Sequence, residues 1–193
     1  RVTMQEIRPQ VASEYPSAWS FARVLGEISP KTSTTTVIIA VEKISNVILS
    51  ACERAEIEKP LNCKFLNCSA ENLPCFIPAN SVERIYLNFS CPYPKHTYKN
   101  RRLTYHRFLS IYKTLLKENG EIHLKTDNQG FFEFSIESLS ANGFKIKNVS
   151  LDLHNSNFEG NVVTEYEKLF SSQGKPIVSS IFIFLLIFIL LSF

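Results

Sequence analysis

Glycine is scarce in this chain of 193 residues: there are six, and the only one before Gly120 is Gly26. No Gly-x-Gly can be drawn ahead of Glu42, which excludes from that stretch the usual glycine loop that cradles a nucleotide. Metal-binding patterns are missing as well. The five cysteines (Cys52, Cys63, Cys68, Cys75 and Cys91) are odd in number, none forms a Cys-x-x-Cys pair, and no histidine stands at ligand spacing to them. Neither a disulfide framework nor a zinc site is indicated, and a reducing, cytoplasmic compartment is expected. Residues 1–21 build no apolar run, so no signal peptide is expected there. Acidic residues are absent between Glu83 and Glu118, while Lys95, Lys99, Arg101, Arg102, Arg107, Lys113 and Lys117 fall inside that stretch. The net charge is only +3, so the chain is not a general polycation. Such a local basic face points to a polyanionic partner.

What is present describes an α/β domain. Hydrophobic residues make up 45% and charged residues 20%, a globular balance in a chain long enough for one sizeable core. Residues 37–42 (Val-Ile-Ile-Ala-Val-Glu) read as a strand buried on both faces and ending on an acid. Ser45 is expected to cap a helix over 45–57, on which Val47, Ile48, Ala51, Cys52 and Ala55 recur at helical spacing. Strands are expected at 63–68 and 84–89, the second running into a proline-rich loop at 90–94 that cannot continue it. Thr104 is expected to cap a helix with the stripe Phe108, Leu109, Tyr112, Leu115 and Leu116, ended by Asn119-Gly120. A strand at 121–125, a helix at 129–141 and a strand at 144–151 follow. No internal repeat or low-complexity segment interrupts the pattern.

Strands alternating with helices at this spacing give a Rossmann-like, doubly wound, mostly parallel sheet. Such sheets bind ligands at the carboxyl ends of their strands. That rule selects Glu42, the residues after Cys68, the loop 90–95, and residues 126–128. Glu42 suits the two hydroxyls of a ribose, and so an adenosine-bearing cofactor. In the loop, two prolines stiffen the chain and Lys95 is presented. The residues after it (His96, Tyr98, Lys99, Arg101, Arg102, Tyr105, His106 and Arg107) mix phosphate-binding charge with rings that can stack on unpaired bases. From 177 to 193 only serines interrupt the apolar residues, and 181–191 is unbroken. That length is the lower limit for crossing a bilayer. A membrane anchor and the altered end of a soluble domain are the alternatives, the second being the expectation.

Five segments carry a resemblance. Arg-Ile-Tyr-Leu-Asn-Phe-Ser-Cys-Pro-Tyr-Pro-Lys (84–95), Arg-Arg-Leu-Thr-Tyr (101–105), Gly-Glu-Ile-His-Leu-Lys-Thr-Asp-Asn (120–128), Leu-Asp-Leu-His-Asn-Ser (151–156) and Glu-Gly-Asn-Val-Val-Thr-Glu-Tyr-Glu (159–167) resemble, in order, the signatures of bacterial tRNA (guanine-N7)-methyltransferases. The resemblance implies a class I methyltransferase fold, S-adenosylmethionine as cofactor and tRNA as partner. The implied reaction is methyl transfer to N7 of the variable-loop guanine. It further implies that Glu42, Ser69 and Cys91 stand at cofactor positions, the last two where the family usually has aspartate. Lys95, Asp127, Thr164, Glu165, Tyr166 and Glu167 would bind substrate, with Asp127 also at the chemistry.

On this reading residues 37–177 form the methyltransferase domain. Residues 1–36 are an atypical segment in place of the glycine-rich cofactor loop, although 21–30 resembles the helix after it. Residues 178–193 are the apolar tail. The missing glycines leave a second reading open, a tRNA-binding relative that has lost the cofactor cradle.

Overall fold

A computed structural model describes residues 37–60, 62–156, 161, 163–174 and 176–185. The expectations for residues 1–36, including the missing glycine loop and the helix over 21–30, lie outside the described residues, as does the tail beyond 185. The chain divides into two compact units, Arg1–Ser69 with Gly160–Leu169, and Ala70–Glu159 with Phe170–Phe193.

The described part of the first unit begins with strand β1 (Ile38–Glu42), helix α1 (Ser45–Glu58) and strand β2 (Cys63–Asn67). β1 and β2 are parallel, with Ile38 opposite Cys63 and Glu42 opposite Asn67. α1 is the crossover, burying Val47, Ile48 and Ala51. It ends on Lys59 in the left-handed region (φ 48°), whose N–H bonds back to the Ala55 carbonyl, the usual closing turn of a helix. Its start differs from the expectation. Ser45 does not cap it; the Ser45 hydroxyl donates to Asn67 Oδ1 at 3.0 Å, and Glu42 accepts the Ile44 N–H at 2.8 Å.

The second unit contains β3 (Val82–Asn88), α2 (His106–Leu115), β4 (Leu116–Thr126), α3 (Gln129–Ala141), β5 (Phe144–Ser150) and β6 (Val178–Phe184). Helix α4 (Glu165–Ser172) runs from the first unit into the second. The sheet order is β3-β4-β6-β5. β3 and β4 are parallel, and β6 runs antiparallel to both β4 and β5. Three strands therefore point one way and β6 alone opposes them. Val178–Phe184, the start of the apolar run, is thus an inner strand of the sheet. For these seven residues the choice between anchor and last strand falls to the strand. No described helix is long and apolar enough to cross a membrane.

Alternation along β4 separates the faces of this sheet. Ile122, Leu124 and Thr126 are buried, opposite Phe182, Ser180 and Val178 of β6, and α3 packs on β4, β5 and β6. α2 adds Phe108, Leu109, Tyr112 and Leu115 to the core. This helix is shorter than its stripe suggested. It ends at Leu115, and the Thr114 and Leu115 carbonyls accept from the Asn80 and Ser81 amides at 3.0 Å. Asn119 (φ 59°) makes its left-handed turn within the irregular start of β4 instead.

The other face carries a charged cluster. Glu121 accepts from Lys147 Nζ and His123 Nε2, both at 2.7 Å, with Arg84 Nε at 3.4 Å. The Tyr86 ring lies 4.9 Å from that of His123. Burial lowers the His123 pKa from its ordinary 6.5 and outweighs the attraction of Glu121. The neutral ring therefore donates to the carboxylate. Burial pushes the Glu121 carboxyl up, but the hydrogen bonds from Lys147 and His123 more than offset this, leaving it below its ordinary 4.5.

Both shifts make the fold acid-labile. The unfolded chain protonates His123 more readily than the native one, so stability falls as pH drops below about 6.5, and Glu121 adds a further loss at lower pH. His123→Gln is expected to flatten the upper part of this profile when unfolding midpoints in urea are measured against pH. An unchanged profile between pH 7 and 5 would contradict the assignment.

Candidate functional site

Two parallel neighbours set the geometry of the second unit. Asn88 at the end of β3 lies opposite Lys125 near the end of β4. The segments that follow, 89–95 and 126–128, therefore leave the same edge of the sheet. Phe89 turns into the left-handed region (φ 51°), and its N–H donates to the Lys125 carbonyl at 2.8 Å. Tyr93, between two prolines, is also left-handed (φ 40°). A residue before proline prefers extended backbone, so the loop holds strain of the kind found at binding sites. Cys91 and Lys95 are exposed along it.

Asn88 Oδ1 and Ser90 Oγ are buried at this edge without a hydrogen-bond partner among the described residues. Each such group costs about 1–3 kcal/mol unless something satisfies it. Their position, where a doubly wound sheet receives its ligand, fits a polar molecule that completes them.

On the β4 side, Thr126 is buried and its hydroxyl accepts the Asn128 N–H at 3.1 Å. Asn128 caps α3, its Oδ1 accepting the Phe131 N–H at 2.8 Å. Asp127 stands between these two anchored residues, half-buried. Among the described residues its carboxylate has no hydrogen-bond or ion-pair partner, so it is available to a ligand.

The basic stretch is smaller than its composition suggests. Arg107 pairs with Glu71 at 3.0 Å and Lys117 with Glu83 at 2.9 Å. Lys113 lies 5.8 Å and 5.9 Å from the rings of Phe144 and Phe184. Arg102 turns inward, donating from Nη2 to the Tyr93 carbonyl at 3.0 Å. That leaves Lys95, Lys99 and Arg101 on or beside the 3-10 helix His96–Arg101. The Arg101 guanidinium lies 4.6 Å over the exposed Tyr98 ring. Cations and a ring thus share one turn, as single-stranded nucleic acid would require.

In the first unit, Glu42 and Ser69 sit at the carboxyl ends of β1 and β2, with Asn67 Nδ2 donating to the Glu42 carbonyl at 2.8 Å. One Glu42 oxygen is taken by the Ile44 N–H, which fixes the carboxylate at the strand end while its other oxygen can accept from a hydroxyl.

Thr164 and Glu167 are fully buried. The Thr164 hydroxyl accepts the Glu167 N–H at 3.0 Å, Glu167 Oε2 accepts the Thr164 N–H at 3.3 Å, and Glu167 Oε1 accepts from Asn161 Nδ2 at 2.8 Å. This is a reciprocal capping box at the start of α4. Its signal, Thr-x-x-Glu, is visible in the sequence but passes unnoticed when both residues are taken as substrate ligands. Glu165 and Tyr166 are the first two residues of α4.

The fold is that of the class I S-adenosylmethionine-dependent methyltransferases. The chain belongs to the family described as "Putative methyltransferase", whose model matches residues 21–180. It is similar to the structure of a SAM-dependent methyltransferase from Aquifex aeolicus (TM-score 0.59, 13% identity, covering 86% of this chain and 79% of that one). It also resembles the 16S rRNA methyltransferase KamB (TM-score 0.60, 10% identity, 95% and 97% covered). A third similar structure is TrmN from Thermus thermophilus (TM-score 0.55, 21% identity), where the match covers 83% of this chain and 40% of that one.

The capping box makes a stability forecast that a purely ligand-binding role would not. Glu167→Ala removes the acceptor for the Thr164 amide and the Asn161 side chain and is expected to cost about 2–4 kcal/mol in urea unfolding. Glu167→Gln, which keeps one acceptor, is expected to cost about half as much. Wild-type stability in the alanine variant would count against the cap.

Proposed function

We propose that the chain transfers a methyl group from S-adenosylmethionine to N7 of the variable-loop guanine of tRNA. The observation that carries this reading is the shared edge of β3 and β4. An unpaired carboxylate, Asp127, and two unsatisfied buried polar atoms, on Asn88 and Ser90, stand there beside a loop that ends in exposed cations. Membership of a methyltransferase family supports the reaction class, and the similar structures include a 16S rRNA methyltransferase. The five ordered motifs support the particular base.

Each residue has a physical task in this reading. By the resemblance, Glu42 and Ser69 of the first unit and Cys91 of the second each stand at a cofactor position, Glu42 as the acceptor for the ribose hydroxyls. The cofactor, when bound, supplies a methyl group activated on a sulfonium. Guanine N7 carries an in-plane lone pair and no proton, so the site needs no strong general base. It needs alignment. Asp127 accepts from the Watson–Crick edge of the guanine and offsets the positive charge that develops on the purine. Lys95, Lys99 and Arg101 hold phosphates, and Tyr98 offers a stacking face. Glu165 and Tyr166 start α4, where the capping box of Thr164 and Glu167 fixes their backbone.

The test is Asp127→Asn, which keeps size and removes charge. Methyl transfer to tRNA is expected to fall by about two powers of ten, while calorimetric binding of S-adenosylmethionine is unchanged. Near-normal turnover would remove Asp127 from the site. A wild-type chain that binds tRNA but takes up no cofactor would favour the tRNA-binding relative over the enzyme.

A further inference from the structure

Arg102 sits in the middle of the basic stretch, yet its surroundings are those of an internal strut. The side chain is half-buried. Its guanidinium carbon lies 4.4 Å over the Phe134 ring, Nη2 donates to the Tyr93 carbonyl at 3.0 Å, and Nε is buried with no hydrogen-bond partner among the described residues. A half-buried guanidinium held between a ring and a carbonyl, with its Nε buried, is poorly placed to neutralise a solvent-side phosphate.

Its two partners belong to different parts of the site. Tyr93 is the left-handed residue between Pro92 and Pro94, a conformation that persists only if its surroundings hold it. Phe134 lies on α3, whose cap, Asn128, follows Asp127 directly. The chain beyond Arg102 is fixed to the same helix. Thr104 Oγ1 is 2.8 Å from Ser135 Oγ, Ser138 Oγ donates to the Thr104 carbonyl at 2.6 Å, and the Tyr105 ring stacks on Phe134 at 6.4 Å.

We propose that Arg102 is a positioning residue: it holds the Tyr93 carbonyl against α3 and so sets the place of Lys95 relative to Asp127. This deepens the proposed function and rests on it for the meaning of that placement. Only a planar, forked cation can stack on a ring and donate in its own plane at once. An ammonium group cannot, so charge and geometry can be separated by substitution.

The test compares Arg102→Lys, Arg102→Ala and Arg101→Ala in the full chain by three measurements. Hydrogen exchange of the Phe89 amide, bonded across to the Lys125 carbonyl, and of the Tyr98 amide, bonded to the Lys95 carbonyl at the end of the loop, reports the loop in the protein alone. The dependence of tRNA affinity on salt reports phosphate contacts, and single-turnover methyl transfer at saturating tRNA reports placement. Both Arg102 variants are expected to exchange these amides at least about tenfold faster and to lose about 10–100-fold in rate, as a small misplacement does. Their salt slope should match the wild type. Arg101→Ala should show the reverse: unchanged exchange and a slope lower by about 0.7–1, one phosphate contact.

Arg102→Lys behaving as wild type, with a reduced slope in Arg102→Ala, would overturn the proposal in favour of a phosphate ligand. If Arg102→Ala does not fold, Phe134→Leu removes the ring beneath the guanidinium. It should also speed exchange, and unchanged exchange there would overturn the proposal equally. Faster exchange in the variants of a chain whose wild type neither binds tRNA nor transfers methyl would sustain the strut and retire the tRNA reading instead.

Discussion

The parallel pairing of β3 with β4 is the constraint on which the site depends. It brings two chain exits to one edge, and both exits are then tied down separately. Phe89 bonds to the Lys125 carbonyl across the pair, and Thr126 with Asn128 fixes the turn into α3. Between these ties stand groups that have no partner among the described residues: the buried Asn88 Oδ1 and Ser90 Oγ, and the half-buried Asp127 carboxylate. Leaving the two buried atoms unpaired costs stability, which a polar ligand at this edge would relieve. Helix α3 extends the same logic. Its first turn caps beside Asp127, and its Phe134, Ser135 and Ser138 receive Thr104, Tyr105 and Arg102 from the loop that leaves β3.

Much of this was legible in the sequence, for local reasons. α3 has the bounds read from its pattern, because Asn128 caps it and Asn142-Gly143 closes it. β1 was visible as a β-branched run ending on an acid, and the proline-rich loop after β3 marked the ligand edge before any geometry was known. Where the reading went astray, a distant partner had displaced a local rule. Ser45 and Thr104 are good capping residues by type, but their hydroxyls are taken by Asn67 and Ser135, and α2 begins without a side-chain cap.

The distribution of charge follows the same rule. The acid-free stretch looks like a continuous basic face, but Glu71 and Glu83 lie ahead of it in sequence and reach Arg107 and Lys117 in space. Arg102 is inward because an aromatic ring and a carbonyl meet it there, which no spacing rule announces. The last strand illustrates a non-local limit. β6 enters antiparallel between β4 and β5, so the first strand's length of an apolar run that resembles a membrane segment, Val178–Phe184, is consumed by the sheet. The capping box at Thr164 and Glu167 is legible as Thr-x-x-Glu in the sequence itself.

The central claim is that this edge presents one guanine nitrogen to a methyl donor. Incubating the purified chain with isotopically methyl-labelled S-adenosylmethionine and unmodified tRNA, then locating the label by mass spectrometry of nuclease fragments, tests it most directly. The account predicts label on N7 of a guanine in the variable loop and on no other base. Label on another atom or another loop, or cofactor binding with no transfer to tRNA, would contradict it.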